Sequence, residues 1–158
     1  MNINNLFSII YSRIIKTILL CDICILFLGL SASGRSFKLA DENENGYLAP
    51  AQQRPPTLLI PEAGGYTKEP GMLTYYEICQ KIELKNWTEN WLDEGKVPYA
   101  YGEGKWNPQW VGYDNAKSII YKVEMAKDKN LGGIMWWSPD MDDFTVGEFQ
   151  LCDKSYLV

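Results

Sequence analysis

The chain of 158 residues contains no histidine. That absence removes imidazole as a general base and takes away the commonest neutral zinc ligand, so any proton transfer falls to Asp, Glu or Tyr. Positive charge is also scarce. Fifteen Lys and Arg stand against twenty Asp and Glu, a net charge of -5, and no basic patch interrupts the sequence. Nucleic acid is thereby disfavoured as a partner, because binding phosphates needs concentrated Lys and Arg. Uninterrupted apolar runs are short. Ile23 to Leu30 is bounded by Asp22 and is too brief to cross a bilayer, so no stable membrane span is expected. No metal site and no cofactor is expected.

Aromatic residues, by contrast, are plentiful, with six Trp, ten Tyr and five Phe. They suit a carbohydrate or peptide groove as well as an ordinary core. The four cysteines divide into a close pair, Cys21 and Cys24, and two distant ones, Cys79 and Cys152. The CDIC spacing is that of a redox or metal half-site, yet it lies in an apolar run with no second Cys or His pair. Cys79 follows an aromatic segment and Cys152 lies near the carboxyl end, the pattern of a disulfide that ties a chain end to the body. Asn86-Trp87-Thr88 is a glycosylation sequon compatible with secretion.

The amino end admits two readings. Arg13 and Lys16 precede an apolar stretch that ends in Ser31-Ala32-Ser33, the outline of a signal peptide, but Asp22 interrupts it. Alternatively Ile23 to Leu30 is a buried parallel strand, covered on both faces. The later wiring favours the strand. Asp41 to Pro70 is rich in Pro, Gly and Asn and has no helical period, which predicts loop or short strands. Tyr75, Ile78 and Ile82 recur at the spacing of one helix face, and Trp110 to Tyr113 reads as a short aromatic strand. Asn115 to Asn130 predicts an amphipathic helix, with Asp114 and Asn115 as caps and Ile119, Ile120, Val123 and Ala126 on its apolar face. A buried strand follows at Leu131 to Trp137, and helix-then-strand order of this kind is α/β wiring.

That last strand carries the chemistry. In LGGIMWWSPDMDDF, Leu131 to Phe144, successive residues face opposite sides, so Trp136 and Trp137 cannot both enter the core. An indole face beside carboxylates suits a sugar ring, whose C–H face stacks while its hydroxyls hydrogen-bond to acids.

The segments GRSFKLA (Gly34 to Ala40), YTKEPGMLTYYEIC (Tyr66 to Cys79), VPYAY (Val97 to Tyr101), WVGYDN (Trp110 to Asn115) and LGGIMWWSPDMDDF stand in an order and spacing that resembles the carboxyl-terminal part of glycoside hydrolase family 18. That family comprises chitinases and chitinase-like lectins. The resemblance covers about Leu26 to Cys152. It implies an α/β fold, an incomplete TIM barrel holding the last two strands and the seventh helix, with a small α+β insertion domain. Residues 1–22 would be an unmatched lead, 23–37 and 111–158 the barrel part, and 38–110 the insertion domain, with Leu26 to Phe37 as the seventh strand.

The resemblance further implies a substrate-assisted mechanism whose acid is the last glutamate of a DxxDxDxE strand motif. This sequence contains no such motif, and DENE at Asp41 to Glu44 and DMDD at Asp140 to Asp143 do not supply its spacing. No catalytic residue can therefore be carried over. What is carried over is part of a sugar cleft. Trp137 matches the tryptophan that floors the subsite of the scissile sugar, Arg35 a cleft arginine, and Glu69 and Met72 the insertion-domain wall. Trp136 is expected to pack, and Asp140, Asp142 and Asp143 to shape the loop. Cys79 and Cys152 match a family disulfide. The aromatic that usually precedes GRSF is absent, since Ser31, Ala32 and Ser33 stand there. Chitin or a chitooligosaccharide is the implied partner and the location extracellular. Two functions follow: a truncated chitinase-like binder without hydrolytic activity of its own, or a fragment of an active secreted endochitinase.

Overall fold

The computed structural model describes residues 26–52, 61–102, 108–143 and 152. Cys21 and Cys24, the whole of the lead 1–22, the first residues of the apolar run at Ile23, and Phe144 lie outside them. The structure is mixed α/β. In chain order it comprises β1 (Phe27–Ser31), β2 (Ser33–Lys38), β3 (Met72–Thr74), α1 (Tyr75–Lys85), β4 (Thr88–Leu92), β5 (Val97–Gly102), β6 (Gln109–Gly112), α2 (Ala116–Asp128), β7 (Gly133–Trp137) and a single 3-10 turn at Pro139–Met141.

The strands form two sheets. β1 and β7 pair in parallel, with Phe27 opposite Gly133 and Ser31 opposite Trp137, the order expected from a helix feeding a strand. The strands are not buried as expected, because among the described residues no further strand flanks the pair and only Leu30 is fully covered. The other five strands form an antiparallel sheet in the order β3-β2-β6-β5-β4. The single strand expected over Leu26 to Phe37 is thus divided. It breaks at Ala32, where the chain leaves one sheet and enters the other. The break is local and tight: the Ser33 N–H donates to Ser31 Oγ at 3.2 Å, and the two hydroxyls lie 2.7 Å apart.

Burial alternates through this break without losing step. Leu30, Ala32, Gly34 and Ser36 are buried, whereas Ser31, Ser33, Arg35 and Phe37 are not. Ala32, of the first set, joins Leu73, Tyr75, Ile78, Cys79, Ala100, Val111 and Tyr113 in the core. Gly34 is required there, since a Cβ would lie 2.7 Å from a Val111 methyl and 2.8 Å from Ile78 Cδ1. Trp136 packs against the same core.

Helix α1 presents the face read from its sequence, with Tyr75 and Ile78 buried and Ile82 against the core. Thr74 and Glu77 close a capping box, satisfying two of the donors that a helix start leaves unpaired. The Glu77 carboxylate also reaches back to a preceding turn, accepting the N–H of Tyr66 at 2.6 Å and of Thr67 at 3.3 Å. Helix α2 is capped by Asn115, one of the two caps anticipated, in a capping box with Ser118, while Asp114 binds the Ser118 hydroxyl instead. Its expected apolar face turns inward only in part, with Ile119 and Val123 half-buried and Ile120 open to solvent. Ser118 and Ala126 are buried, while Ile120 is 59 % exposed. The inward side is set by a polar anchor, with Ser118 Oγ donating to Asp114 at 2.7 Å and Lys122 Nζ donating to it at 2.6 Å.

A disulfide joins Cys79 of α1 to Cys152, with Cα atoms 5.3 Å apart and a sequence separation of 73. Beside it Asp143 Oδ2 accepts the Cys152 N–H at 3.1 Å, so covalent and polar links fasten the same point.

Two outcomes are expected. A loop of this length should contribute about 4 kcal/mol by limiting the unfolded chain, so a Cys79→Ala/Cys152→Ala variant should show that loss in urea unfolding. A loss under about 1 kcal/mol would mean that packing alone fixes the carboxyl end. The second concerns acid. Burial pushes the Glu77 carboxyl up, but the N–H groups of Thr74, Tyr66 and Thr67 outweigh it and hold it below the ordinary carboxylate value. A depressed group contributes stability that is present above its unfolded value, about 4.3, and is lost as pH falls through the folded one. Between pH 6 and pH 3 the melting temperature of the parent chain should therefore fall further than that of Glu77→Gln, which has no such proton to bind. Equal falls would detach Glu77 from acid stability.

Candidate functional site

Ser31 at the end of β1 and Ser33, Arg35 and Phe37 on β2 are the alternate residues that are not buried in the core. Ser31 stands in register with Trp137 across the parallel pair, and paired residues project to the same side of a sheet. Arg35 is in register with Met72 on β3 and with Gly112 on β6. One continuous face thus runs from Trp137 across β1 and along β2 to Arg35 and Met72.

Trp137 closes β7 and is 68 % exposed, although it is among the largest apolar side chains in the molecule. Trp136, one residue earlier, is half-buried against the core. The strand alternation therefore sends one indole to packing and the other to solvent. Met135 shares the side of Trp137, is 46 % exposed, and lies over Gly29, where a Cβ would stand 3.5 Å from its Cε. Its parity with Trp137 was the sequence signal for it.

Arg35 and Glu69 form an ion pair at 4.0 Å, with side chains 77 % and 61 % exposed. A pair so open to water contributes about 0–1 kcal/mol. It cannot be what holds the loop. The backbone does that: Gly71 lends its carbonyl to the Ser36 N–H at 3.0 Å, Met72 N–H donates to the Glu69 carbonyl at 3.2 Å, and Lys68 N–H to the Gly64 carbonyl at 3.0 Å. Gly71 adopts a φ of 85°, which an L side chain resists. Arg35 and Glu69 are left with unoccupied hydrogen-bonding capacity toward solvent, an arrangement able to take hydroxyl and amide groups of a ligand.

Further along the same face, Phe37, Trp110 and Tyr99 stack, with centroids 4.9 Å and 5.3 Å apart. Their flat faces are turned on one another, so this stack stiffens the sheet rather than offering a platform to a ring. The remaining candidates lie elsewhere. Asn86 is exposed at the left-handed end of α1, φ 54°, and Thr88 of its sequon is exposed on β4. Asp142 and Asp143 are buried, and the Asp143 N–H donates to Asp142 Oδ1 at 2.8 Å. Asp140 is exposed in the 3-10 turn.

Among the described residues, Cys79, Asp143 and Cys152 bring metal-ligand atom types together, but the two sulfurs are joined in the disulfide and are not thiolates. A cavity of about 320 Å³ opens beside that disulfide, between Tyr75, Ile82, Glu89 and Tyr113. It lies on the core side of the sheet, opposite Arg35. Burial, and then the neighbouring Glu89 carboxylate that accepts its proton, push the Tyr113 hydroxyl up, so it remains a phenol there.

The chain is similar to several known proteins. The oviduct-specific glycoprotein of Mesocricetus auratus is 43% identical over 118 residues, which is 75% of this chain and 16% of that protein. Among solved structures, human YKL-39, described as a pseudo-chitinase with retained chitooligosaccharide binding properties, is 44% identical with a TM-score of 0.62. The immunomodulatory active chitinase of Trichuris suis is 36% identical with a TM-score of 0.64. Each structural match covers 75% of this chain and 29% of the other. The chain therefore spans less than a third of the relatives it matches. Residues 16–142 match the model of glycosyl hydrolases family 18, and the chain belongs to that family.

Proposed function

We propose that the chain is a truncated chitinase-like protein that binds chitin or chitooligosaccharides and does not hydrolyse them by itself. In this reading β1 and β7 are the last two strands of a TIM barrel and α2 is its seventh helix. Residues 23–37 and 111–158 form the barrel part, 38–110 form the insertion domain, and 1–22 are a separate lead. The insertion domain's sheet draws β2 and β6 across both of these boundaries. Trp137 stacks on a sugar ring, while Arg35 and Glu69 take hydroxyl or acetamido groups and Met72 forms part of the wall. Asn86 is a glycosylation site, and the setting is extracellular.

One observation carries the reading. A tryptophan is left 68 % exposed at the end of a strand, on the face that leads through Ser31 and Ser33 to the Arg35–Glu69 pair. Leaving an indole in water forgoes burial that would otherwise stabilise the fold, and an aromatic face flanked by hydrogen-bonding groups is what a sugar ring needs. The described relative with retained chitooligosaccharide binding is 44% identical, which supports the same class of ligand. The second reading, a fragment of an active endochitinase, is supported by the similarity to the Trichuris suis chitinase. Against hydrolysis by this sequence stands the absence of any DxxDxDxE segment.

Two measurements test the proposal. Trp137→Ala should weaken chitotetraose binding in calorimetry by about fivefold or more, the equivalent of about 1 kcal/mol of stacking, and leave the melting temperature nearly unchanged. Trp136→Ala should do the opposite and lower stability by about 2–3 kcal/mol, since that ring packs on the core. Exchange of these two effects would mean that the binding face is the other one. The purified chain should also fail to release the fluorophore from a chitobioside substrate. Turnover that is lost on substituting Asp142 or Asp143 would identify an acid within this sequence and remove the non-hydrolytic reading.

A further inference from the structure

We propose that Glu77 is a positioning residue for the ligand face: its buried carboxylate clamps both ends of the turn from Gly64 to Met72 and so presents Glu69 to Arg35. The inference rests on the binding role assigned above and names the part that organises it. Glu77 is only 3 % exposed. One oxygen, Oε1, accepts the N–H of Tyr66 and of Thr67, at the start of the turn. The other, Oε2, accepts the N–H of Thr74 at 2.9 Å, just beyond its end. Thr67 Oγ1 lies 3.2 Å from Oε2 and 3.1 Å from the Met72 carbonyl, and its single proton serves one of the two. A capping box needs only the Thr74 contacts. The additional links to Tyr66 and Thr67 do nothing for the helix start and everything for the turn.

The approach of the turn is built around this carboxylate. A Cβ at Gly64 would overlap both Glu77 oxygens, so only glycine lets the chain pass. Glu69 then sits at the exposed tip, three residues from the Met72 N–H that its own carbonyl receives. The ion pair of Glu69 with Arg35 is too solvated to order a loop. Order at the tip must therefore come from the clamped base, and charge-assisted hydrogen bonds to a buried carboxylate are the strong kind.

A glutamine at this position keeps the size but offers one acceptor oxygen where the turn and the helix start each need one, and its amide hydrogens face N–H donors. The test is a double-mutant cycle in chitotetraose binding with Glu77→Gln, Glu69→Gln and both together. Each single change should weaken binding by roughly tenfold, and the double variant should be no weaker than Glu77→Gln alone. Losses that multiply to roughly a hundredfold would mean that Glu77 does not act through Glu69. Thr67→Val serves as a second probe that leaves the Thr74–Glu77 box intact, and it should reproduce part of the effect with little change in melting temperature. Hydrogen exchange gives a readout independent of sugar. In Glu77→Gln the amides of Tyr66, Thr67 and Met72 should exchange at least tenfold faster, while those of β5 and β6 keep their protection. Unchanged exchange at these amides would overturn the clamp. Loss of the binding role alone would show differently, as a parent chain that ignores chitotetraose while the exchange difference persists.

Discussion

The structure depends on one strand that belongs to two sheets. From Phe27 to Lys38 the chain first pairs in parallel with β7, then in antiparallel with β3 and β6, and the change occurs at one buried alanine. A change of sheet usually risks a change of face, because a one-residue slip reverses every side chain. Here Ala32 keeps the parity. Leu30, Ala32, Gly34 and Ser36 stay toward the core, so Ser31, Ser33 and Arg35 stay together on the other side. The outward face carrying Ser31, Ser33 and Arg35 therefore continues from one sheet to the other. A larger residue at Ala32, which has no exposed surface, would press into Tyr75 and Ile78 and shift one sheet against the other.

The two halves of that face are held by forces of very different size. Exposed charges on Arg35 and Glu69 contribute little to stability and remain available to a ligand. Buried groups do the holding. The Glu77 carboxylate ties α1 to the turn before β3, Asp143 holds the Cys152 N–H, and the Cys79–Cys152 disulfide joins segments 73 apart in sequence. The disposition separates stability from recognition. Buried polar groups need every partner they have, whereas surface groups exchange partners with water at small cost.

Much of this was legible in the sequence, and the exceptions have physical causes. Helix α1 was evident from the spacing of Tyr75, Ile78 and Ile82, and α2 from its lysine-rich polar side and its Asn115 cap. The division of roles between Trp136 and Trp137 followed from strand alternation, which is a property of the backbone alone. The break at Ala32 was not legible, because GLSASGRSF alternates without interruption and nothing local says that the hydrogen-bonding partner changes. β4 and β5 were also missed as a hairpin, since Pro98 and the exposed polar residues Thr88 and Glu89 hide the period of the pair. The anchoring of α2 by Asp114, Ser118 and Lys122 ran against hydrophobic periodicity, which placed Ile120 inward. For the proposed ligand face, the family motifs pointed to Arg35, Glu69, Met72 and Trp137. The supporting contacts of Glu77 with Tyr66 and Thr67 depend on tertiary folding, although Thr74-x-x-Glu77 announced the cap.

The exposed position of Ile120 has a counterpart on the parallel pair. Phe27 and Ile134 are also open to water, on a sheet that holds only β1 and β7 among the described residues. Parallel strands are ordinarily covered on both faces, and two strands alone bury too little to be stable by themselves. The antiparallel sheet has no such deficit, since it carries α1 and the core on one side and the Phe37–Trp110–Tyr99 stack on the other. Stability is therefore concentrated in the antiparallel part, and β7 is secured chiefly where Trp136 and the Asp143–Cys152 link reach that core. On the proposed barrel reading this is the expected asymmetry, because the parallel pair is the portion whose neighbouring strands belong to the rest of the barrel. Trp137 stands at the end of β7, so its orientation relies on the small sheet, while Arg35, which the proposed function places with it on the ligand face, is carried by β2 of the larger one.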